Sequence, residues 1–274
     1  MSECGLIILG NSGAEKSFIA NILLNEESFV HECSSTSVTH ETEYRDICFD
    51  GHCYSIFNIP GLVEADQARI ELNKQEIYKA FQLRPLSVVL FVFNGGAGGR
   101  LKDEDIVAYE AINSAYNFGD ASMVTYVIID YDALPANRKA DYDARTAITL
   151  QKLLNKTHPI RVCFLNRIND LSDDNAKDKL RAQLASFLIQ CSPHNYEKHG
   201  DISLRAEDIR MLKQAIKEMQ DQFEKQLVVM QRQIEQKQQE FDEYKKTTRE
   251  DIEFYKGVIS RSEISESGRI CSIS

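Results

Sequence analysis

The first 195 residues alternate between short apolar runs and stretches with helical spacing. The apolar runs predict six buried strands at residues 6–9, 44–49, 53–58, 87–93, 123–129 and 161–165. Amphipathic stretches at residues 17–24, 66–82, 102–117, 140–156 and 174–190 predict the helices. Asp50-Gly51 separates the second and third runs and predicts a tight hairpin. This order predicts an α/β domain over residues 1–195, with a mixed, mostly parallel six-stranded sheet and helices on both faces.

A different pattern begins after residue 195. Residues 196–204 are polar and predict a linker, whereas residues 205–256 contain neither Pro nor Gly. Apolar residues recur there at steps of 3, 4 and 7, as at Leu227, Ile234 and Phe241, which predicts a long helix over residues 205–257 and a coiled coil. A single helix packed back on the first domain is the alternative. Residues 258–274 are rich in Ser and are expected to be flexible.

The first candidate chemistry lies between the first strand and the first helix. The residues of this loop are Gly10, Asn11, Ser12, Gly13, Ala14, Glu15, Lys16 and Ser17. They fit the phosphate-binding pattern G-x-x-x-x-G-K-S, except that Glu15 replaces the last glycine. Small residues let backbone N–H groups surround phosphates, Lys16 would neutralise the β- and γ-phosphates, and Ser17 would ligate Mg²⁺. Glu15 adds a Cβ atom and a carboxylate there. A strand–turn–helix with an incidental Lys-Ser pair is the alternative.

Further loop residues follow in the order that a guanine-nucleotide site requires. Thr39, in a polar loop, can reach Mg²⁺ and sense a γ-phosphate. The segment Asn58-Ile-Pro-Gly61 resembles D-x-P-G, in which the Asp holds a Mg²⁺-bound water and the Gly N–H meets the γ-phosphate. Asp132 could accept the N1–H and N2–H groups of guanine, and Asn166 follows the sixth strand at the place of a last base contact. The order of these residues predicts a site for GTP or GDP with Mg²⁺.

The sequence also resembles a known family, the GIMAP or immunity-associated (AIG-type) GTPases, over roughly residues 5–195. The most specific part is Arg100-Leu-Lys-Asp-Glu-Asp105, which looks like the R-F-T-x-E-[ED] box of that family and leads into a helix. Residues 37–39, 58–61 and 163–166 also match in order and spacing. The resemblance implies binding of GTP and GDP, GTP-driven association through the face of the G domain, and work at membranes as a scaffold.

Four residues depart from the family pattern, and each touches the nucleotide or its metal. They are Glu15, Asn58, Ile129 and Asp130. If each costs about 1 kcal/mol, the affinity for nucleotide falls roughly a thousandfold. No Gln stands out to position an attacking water, so we expect weak hydrolysis at best. Two functions stay open: a membrane-associated nucleotide switch or scaffold, and a pseudo-GTPase that assembles with little nucleotide. A P-loop kinase is disfavoured because no Arg-rich lid follows.

Charge and cysteine content restrict the partners and the compartment. The net charge of −10 argues against nucleic acid as a partner. The seven cysteines lack zinc spacing, so we expect small buried thiols in a reducing compartment. There is no recognisable signal peptide, and no stretch approaches the roughly 20 apolar residues that span a bilayer. We therefore expect a cytoplasmic protein.

The last four residues suggest attachment to the cytoplasmic face of a membrane. Cys271-Ser-Ile-Ser fits the C-a-a-X pattern, with Ser at X favouring a farnesyl group on Cys271. One prenyl chain gives only marginal and reversible membrane binding. A coiled-coil dimer would present two chains and raise the avidity. A free thiol at the end of the chain is the alternative.

Overall fold

The computed structural model describes residues 4–29, 42–49, 51–63, 67–95, 101–119, 123–131, 136–166, 168, 173–204 and 206–270. Thr39, Arg100, Asp132 and Cys271, named above as candidate residues, lie outside the described residues. The strands are β1 (Cys4–Gly10), β2 (Glu43–Phe49), β3 (His52–Asn58), β4 (Leu86–Asn94), β5 (Val124–Tyr131), β6 (Val162–Asn166) and β7 (His194–Asn195). The helices are α1 (Lys16–Leu24), α2 (Gln67–Leu83), α3 (Asp103–Tyr116), α4 (Ala136–Leu153), α5 (Asp174–Ile189) and α6 (Ala206–Ile270).

The strands form one mixed sheet in the order β2-β3-β1-β4-β5-β6. Every pair along this path is parallel except β2–β3, the hairpin predicted at Asp50-Gly51. The seventh strand, which the sequence did not predict, is the two-residue β7. It pairs antiparallel with Leu86 and Ser87, ahead of Val89, where β5 joins β4. The carboxyl ends of β1, β3, β4, β5 and β6 therefore meet at one edge of the sheet, where an α/β fold binds its ligand.

Strand β4 explains how one apolar run supports helices on both sides of the sheet. Successive side chains of a strand point to opposite faces. Val88, Leu90 and Val92 pack with α1 and α5 in one core. Val89, Phe91 and Phe93 pack with α2, α3 and α4 in the other. A strand that is covered on both faces therefore shows a continuous apolar run and no alternation.

The end of the first unit lies further along the chain than the sequence predicted. The chain divides into two compact units, residues 1–220 and 221–274. Residues 196–204, predicted as a linker, belong to the first unit, and Tyr196, Ile202 and Leu204 are buried in its core. Ile209 and Ile216, at the beginning of α6, are buried in the same core. This part of the structure matches the alternative in which the helix packs back on the first domain.

The described part of the second unit consists of the rest of α6, which continues to Ile270. The helix therefore includes most of residues 258–274, the segment predicted as a flexible tail. Four large apolar or aromatic residues of this unit have exposed fractions of 51–68%, namely Met230, Ile234, Phe241 and Tyr244. Within the described residues, no helix is both long and apolar enough to cross a bilayer.

The prediction that the cysteines are buried free thiols is wrong for Cys48 and Cys53. These residues are directly opposed in the hairpin, their side chains are exposed, and they form a disulfide. Their Cα atoms lie 4.1 Å apart, close to the spacing of a narrow antiparallel pair, so the hairpin itself brings the two sulfurs together. Among the described residues, Cys4, Cys163 and Cys191 are not in a disulfide, and Cys163 is buried.

Candidate nucleotide-binding site

The loop Gly10–Ser17 lies where the sequence predicts it, between the end of β1 and the first turn of α1. Gly10 has a φ of +149°, and a Cβ atom there would approach the carbonyl oxygen of Val92 to 2.6 Å. Gly13 also has a positive φ, of +73°. The N–H of Ala14 donates to the carbonyl of Asn11 at 3.2 Å and closes the turn. The backbone therefore has the curled form that surrounds phosphate groups, and Gly10 is required by close contact with β4.

Glu15 adopts the left-handed conformation, with φ 57° and ψ 29°, at the N-cap of α1. A glycine accepts this conformation freely, whereas a residue with a Cβ atom pays about 1–2 kcal/mol. The Glu15 side chain does not accept a hydrogen bond from the helix as an N-cap normally does. The structure therefore explains why the phosphate-binding pattern has glycine here, and it places Glu15 in a strained position.

Lys16 and Ser17 follow at the positive end of α1. Lys16 is 8% exposed, and its Nζ donates to the carbonyl of Asn11 at 2.9 Å, within the loop. The Ser17 hydroxyl donates to Oδ1 of Asn58, the last residue of β3, at 3.2 Å. The candidate Mg²⁺ ligand Ser17 and the residue that could hold a Mg²⁺-bound water, Asn58, are therefore neighbours. Their hydroxyl and carboxamide oxygens suit Mg²⁺, although neither is charged.

Gly61 lies directly against the phosphate loop. A Cβ atom at this position would come within 2.2 Å of the Ser12 nitrogen, so the two loops have no room for a side chain between them. Asn73 of α2 donates to the Gly61 carbonyl at 2.6 Å. The Val63 N–H donates to Oδ1 of Asn11 at 3.0 Å. The sequence did not indicate Asn11 and Asn73 as the side chains that fix this contact.

On the side of the site that would hold the guanine base, the structure describes the ends of β5 and β6. Strand β5 continues through Ile129 and Asp130 to Tyr131, two residues beyond its predicted end. Tyr131 pairs with Asn166 at the end of β6. Asn166 is exposed and lies beside the residue that immediately precedes Asp132. Asn166, one of the two predicted base contacts, therefore lies beside the carboxyl end of β5.

Two hydrogen-bonded anchors hold the described residues on either side of the segment that contains Thr39. The Asn21 side chain of α1 donates to the Phe29 carbonyl at 2.7 Å and accepts from the Phe29 N–H at 2.8 Å. The Thr42 N–H donates to Glu76 Oε2 at 2.6 Å, and its hydroxyl donates to the Glu76 carbonyl at 3.0 Å. One anchor belongs to α1 and the other to α2.

A buried carboxylate lies behind the phosphate loop. Asp105, in the first turn of α3, is 1% exposed and accepts a hydrogen bond from the Asn94 N–H at 2.8 Å. Burial raises the pKa of Asp105 to about 6, and Glu104 acts in the same direction, whereas the Asn94 N–H, Lys102 and Lys16 act against it. Asn94 is the last residue of β4, and its carboxamide donates to the Gly13 carbonyl at 3.3 Å. A polar residue that ends an apolar strand at this edge is the signal that could have identified Asn94.

Residues 4–226, about four fifths of the chain, match the AIG1 family. The chain belongs to the AIG1 family. The resemblance inferred from Arg100–Asp105 and the loop residues is thereby confirmed. The α/β sheet predicted from the pattern of apolar runs is confirmed as well.

This AIG1-family chain is also similar to individual known proteins. It is 25% identical to GTPase IMAP family member 8 of Mus musculus over 205 residues, which cover 72% of this chain and 28% of the relative. The chain thus spans a little over a quarter of that relative's length. It is 17% identical to Toc33 from Arabidopsis thaliana in complex with GDP and Mg²⁺, covering 71% of this chain and 88% of Toc33 with a TM-score of 0.49. It is also 17% identical to a single-residue variant of Era from Aquifex aeolicus bound to GDP and AlF₄⁻. That match covers 75% of this chain and 63% of the Era chain, with a TM-score of 0.45.

Proposed function

We propose that this chain binds GTP and GDP with Mg²⁺ and hydrolyses GTP slowly, so that it acts as a switch or scaffold and not as a fast enzyme. The observation that carries the proposal is the junction of three elements at one edge of the sheet. Lys16 and Ser17 begin α1, Asn58 ends β3 within 3.2 Å of Ser17, and Gly61 lies against the phosphate loop. An incidental Lys-Ser pair after a strand would not require all three to meet.

Each residue has a role that follows from its place. The Lys16 ammonium would exchange its contact with the Asn11 carbonyl for the β- and γ-phosphates. Ser17 and Thr39 would ligate Mg²⁺ and Asn58 would hold a water bound to it; the ion supplies neutralisation of phosphate charge when it is bound. The Gly61 N–H would donate toward the γ-phosphate, and Asp132 and Asn166 would contact guanine. Because Asn58 brings no negative charge to the metal, we expect weaker Mg²⁺ dependence than a carboxylate would give.

The proposal is tested by titrating the full chain with fluorescent GTP and GDP, with and without Mg²⁺. Saturation that is lost in Lys16→Ala and retained in Lys152→Ala would support the proposal. Lys152 is the control because it is a lysine in the last turn of α4 and not in the phosphate loop. Fluorescent ATP serves as the control for the base. The absence of saturation by either guanine nucleotide at several hundred micromolar would overturn it.

A second function, a pseudo-GTPase that assembles partners with little or no nucleotide, is favoured by one observation. Glu15 introduces both backbone strain and a carboxylate at the loop that should receive phosphates. In this case the fold is kept for its surfaces and not for its ligand. The two functions differ in the Glu15→Gly variant, since nucleotide affinity appearing only in that variant would favour the pseudo-GTPase.

We also propose self-association through the second unit. Met230, Ile234, Phe241 and Tyr244 follow one another at steps of 4, 7 and 3, which is coiled-coil spacing, and all four are exposed. Charged substitutions at Ile234 and Phe241 should lower the molecular mass measured by light scattering, whereas Gln239→Glu, outside that seam, should not. Unchanged mass in the double variant would discard the coiled coil.

Two further proposals concern GTP and the membrane. If the chain associates through the face of the G domain, its molecular mass by light scattering should be larger with a non-hydrolysable GTP analogue than with GDP. Equal molecular masses with the two nucleotides would exclude this association. Peripheral attachment to the cytoplasmic face of a membrane rests on residues 271–274 and a farnesyl group on Cys271. Unchanged membrane partition of Cys271→Ser would exclude that attachment.

A further inference from the structure

Asn94 lies between the phosphate loop and the strand that leads to the base-reading residues. Its carboxamide donates to the Gly13 carbonyl at 3.3 Å, on the phosphate side. The next residue, Gly95, donates its N–H to the Ile129 carbonyl of β5 at 2.7 Å. Asn94 is 7% exposed, so water competes little for these contacts. One short segment at the end of β4 therefore contacts both halves of the candidate site.

Asp105 fixes this segment from behind. An acidic residue in the third position of a helix usually turns back to the N–H at the start of its own helix. Asp105 instead reaches across to β4 and accepts the Asn94 N–H at 2.8 Å. A hydrogen bond to an ionised carboxylate is stronger than one between neutral groups. The carboxylate thus holds the backbone of Asn94 while the carboxamide of Asn94 holds the loop.

We propose that Asp105 and Asn94 are positioning residues for the phosphate loop, through the sequence of contacts from Asp105 to Asn94 to Gly13. This inference rests on the proposed function, because the group that the loop is positioned for is a nucleoside di- or triphosphate. It also gives a role to the last residue of the Arg100–Asp105 box.

The cost of keeping this carboxylate supports a role beyond packing. Burial raises the pKa of Asp105 to about 6, so near pH 7 the chain maintains an ionised group that its surroundings disfavour. Lys16 and Lys102 reduce this penalty and Glu104 increases it. A residue that served stability alone would be replaced favourably by a neutral one, and destabilising ionised groups cluster at functional sites.

The test compares backbone amide exchange in residues 10–16 of the full chain across three test variants and one control variant. Asp105→Ala and Asn94→Ala should each accelerate exchange in the loop about tenfold or more, as expected when a hydrogen bond to a charged group or its dependent contact is lost. Asp105→Asn, which keeps an acceptor, should recover most of the protection. Asp174→Ala, an exposed acid in the first turn of α5, is the matched control and should leave the loop unchanged.

Two outcomes overturn the inference. One is wild-type exchange in the loop of Asp105→Ala, and the other is equal acceleration throughout the sheet, which would indicate general loss of stability. Exchange is measured without nucleotide, so it remains decisive if the proposed function fails. Where the wild type binds fluorescent GDP, Asn94→Ala should weaken binding about fivefold to tenfold while the midpoint of thermal unfolding changes little. A Kd equal to that of wild type would also overturn the inference.

Discussion

Replacing Glu15 by Gly should raise nucleotide affinity while changing stability little. The left-handed backbone of Glu15 costs about 1–2 kcal/mol, and glycine removes this cost. Glycine also makes the unfolded chain more disordered, which takes back about 0.4–1 kcal/mol. The free energy of unfolding should therefore rise by about 0–1.6 kcal/mol.

The effect on nucleotide should be larger because the substitution also removes a charge. Two like charges about 8 Å apart repel by roughly 2 kcal/mol at an effective dielectric constant near 20. Glu15 is half-buried, so partial solvent screening reduces this to about 1 kcal/mol, or fivefold in affinity. With release of strain when the loop closes on phosphates, we expect at least tenfold tighter binding of GDP by Glu15→Gly.

Two variants separate backbone from charge in fluorescent GDP titrations and urea unfolding. Glu15→Gln keeps the strained backbone and removes the charge, so its affinity for GDP should rise only about fivefold. Asn25→Gly is the matched backbone control, because Asn25 has the same left-handed conformation at the other end of α1. It should change stability without changing affinity. Weaker binding by Glu15→Gly than by wild type would refute this reasoning.

Three other predictions follow from the structure. Asn58→Asp should strengthen the Mg²⁺ dependence of GDP binding about tenfold, because it places a carboxylate beside Ser17, and equal Mg²⁺ titrations would contradict this. Ionisation of Asp105, with a pKa raised from 3.8 to about 6, should lower the free energy of unfolding by at most about 3 kcal/mol as pH rises through that window. Urea unfolding at pH 4.5 and 7 should show about 2 kcal/mol of this loss in wild type, because the unfolded carboxyl is already largely ionised at pH 4.5, and none of it in Asp105→Asn. Reducing the Cys48–Cys53 disulfide, monitored by counting thiols, should lower the free energy of unfolding by about 2 kcal/mol, and equal stability of Cys48→Ser and wild type would exclude this.

Much of the fold is predictable because the burial of a strand or helix determines the spacing of its apolar residues along the sequence. A strand covered on both faces, such as β4, needs a continuous apolar run, and α5 needs one apolar stripe. The packing of residues 196–204 could not be predicted in this way. Tyr196, Ile202 and Leu204 are buried through contacts with distant elements and have no regular spacing. The Cys48–Cys53 pair was predictable, since a two-residue turn at Asp50-Gly51 places these cysteines opposite each other.

The site divides in the same manner. Ser17 and Asn58 could be expected to meet because both follow neighbouring parallel strands, and the structure places them in contact. Asn73 could not, because an Asn in a helix is usually a surface residue, whereas the only signal for Asn94 was its place as a polar residue at the end of an apolar strand. Only the fold shows that their carboxamides hold Gly61 and Gly13.

The anchors at Phe29 and Thr42 change the entropy balance of ligand binding. Asn21 and Glu76 hold these two residues, so both ends of the segment between them have fixed positions in the folded chain. Closing a segment of about twelve residues costs about 2 kcal/mol of chain entropy. That cost is part of the free energy of folding and not of binding. A ligand that engages Thr39 would therefore bind a segment whose two flanking residues are already held by α1 and α2.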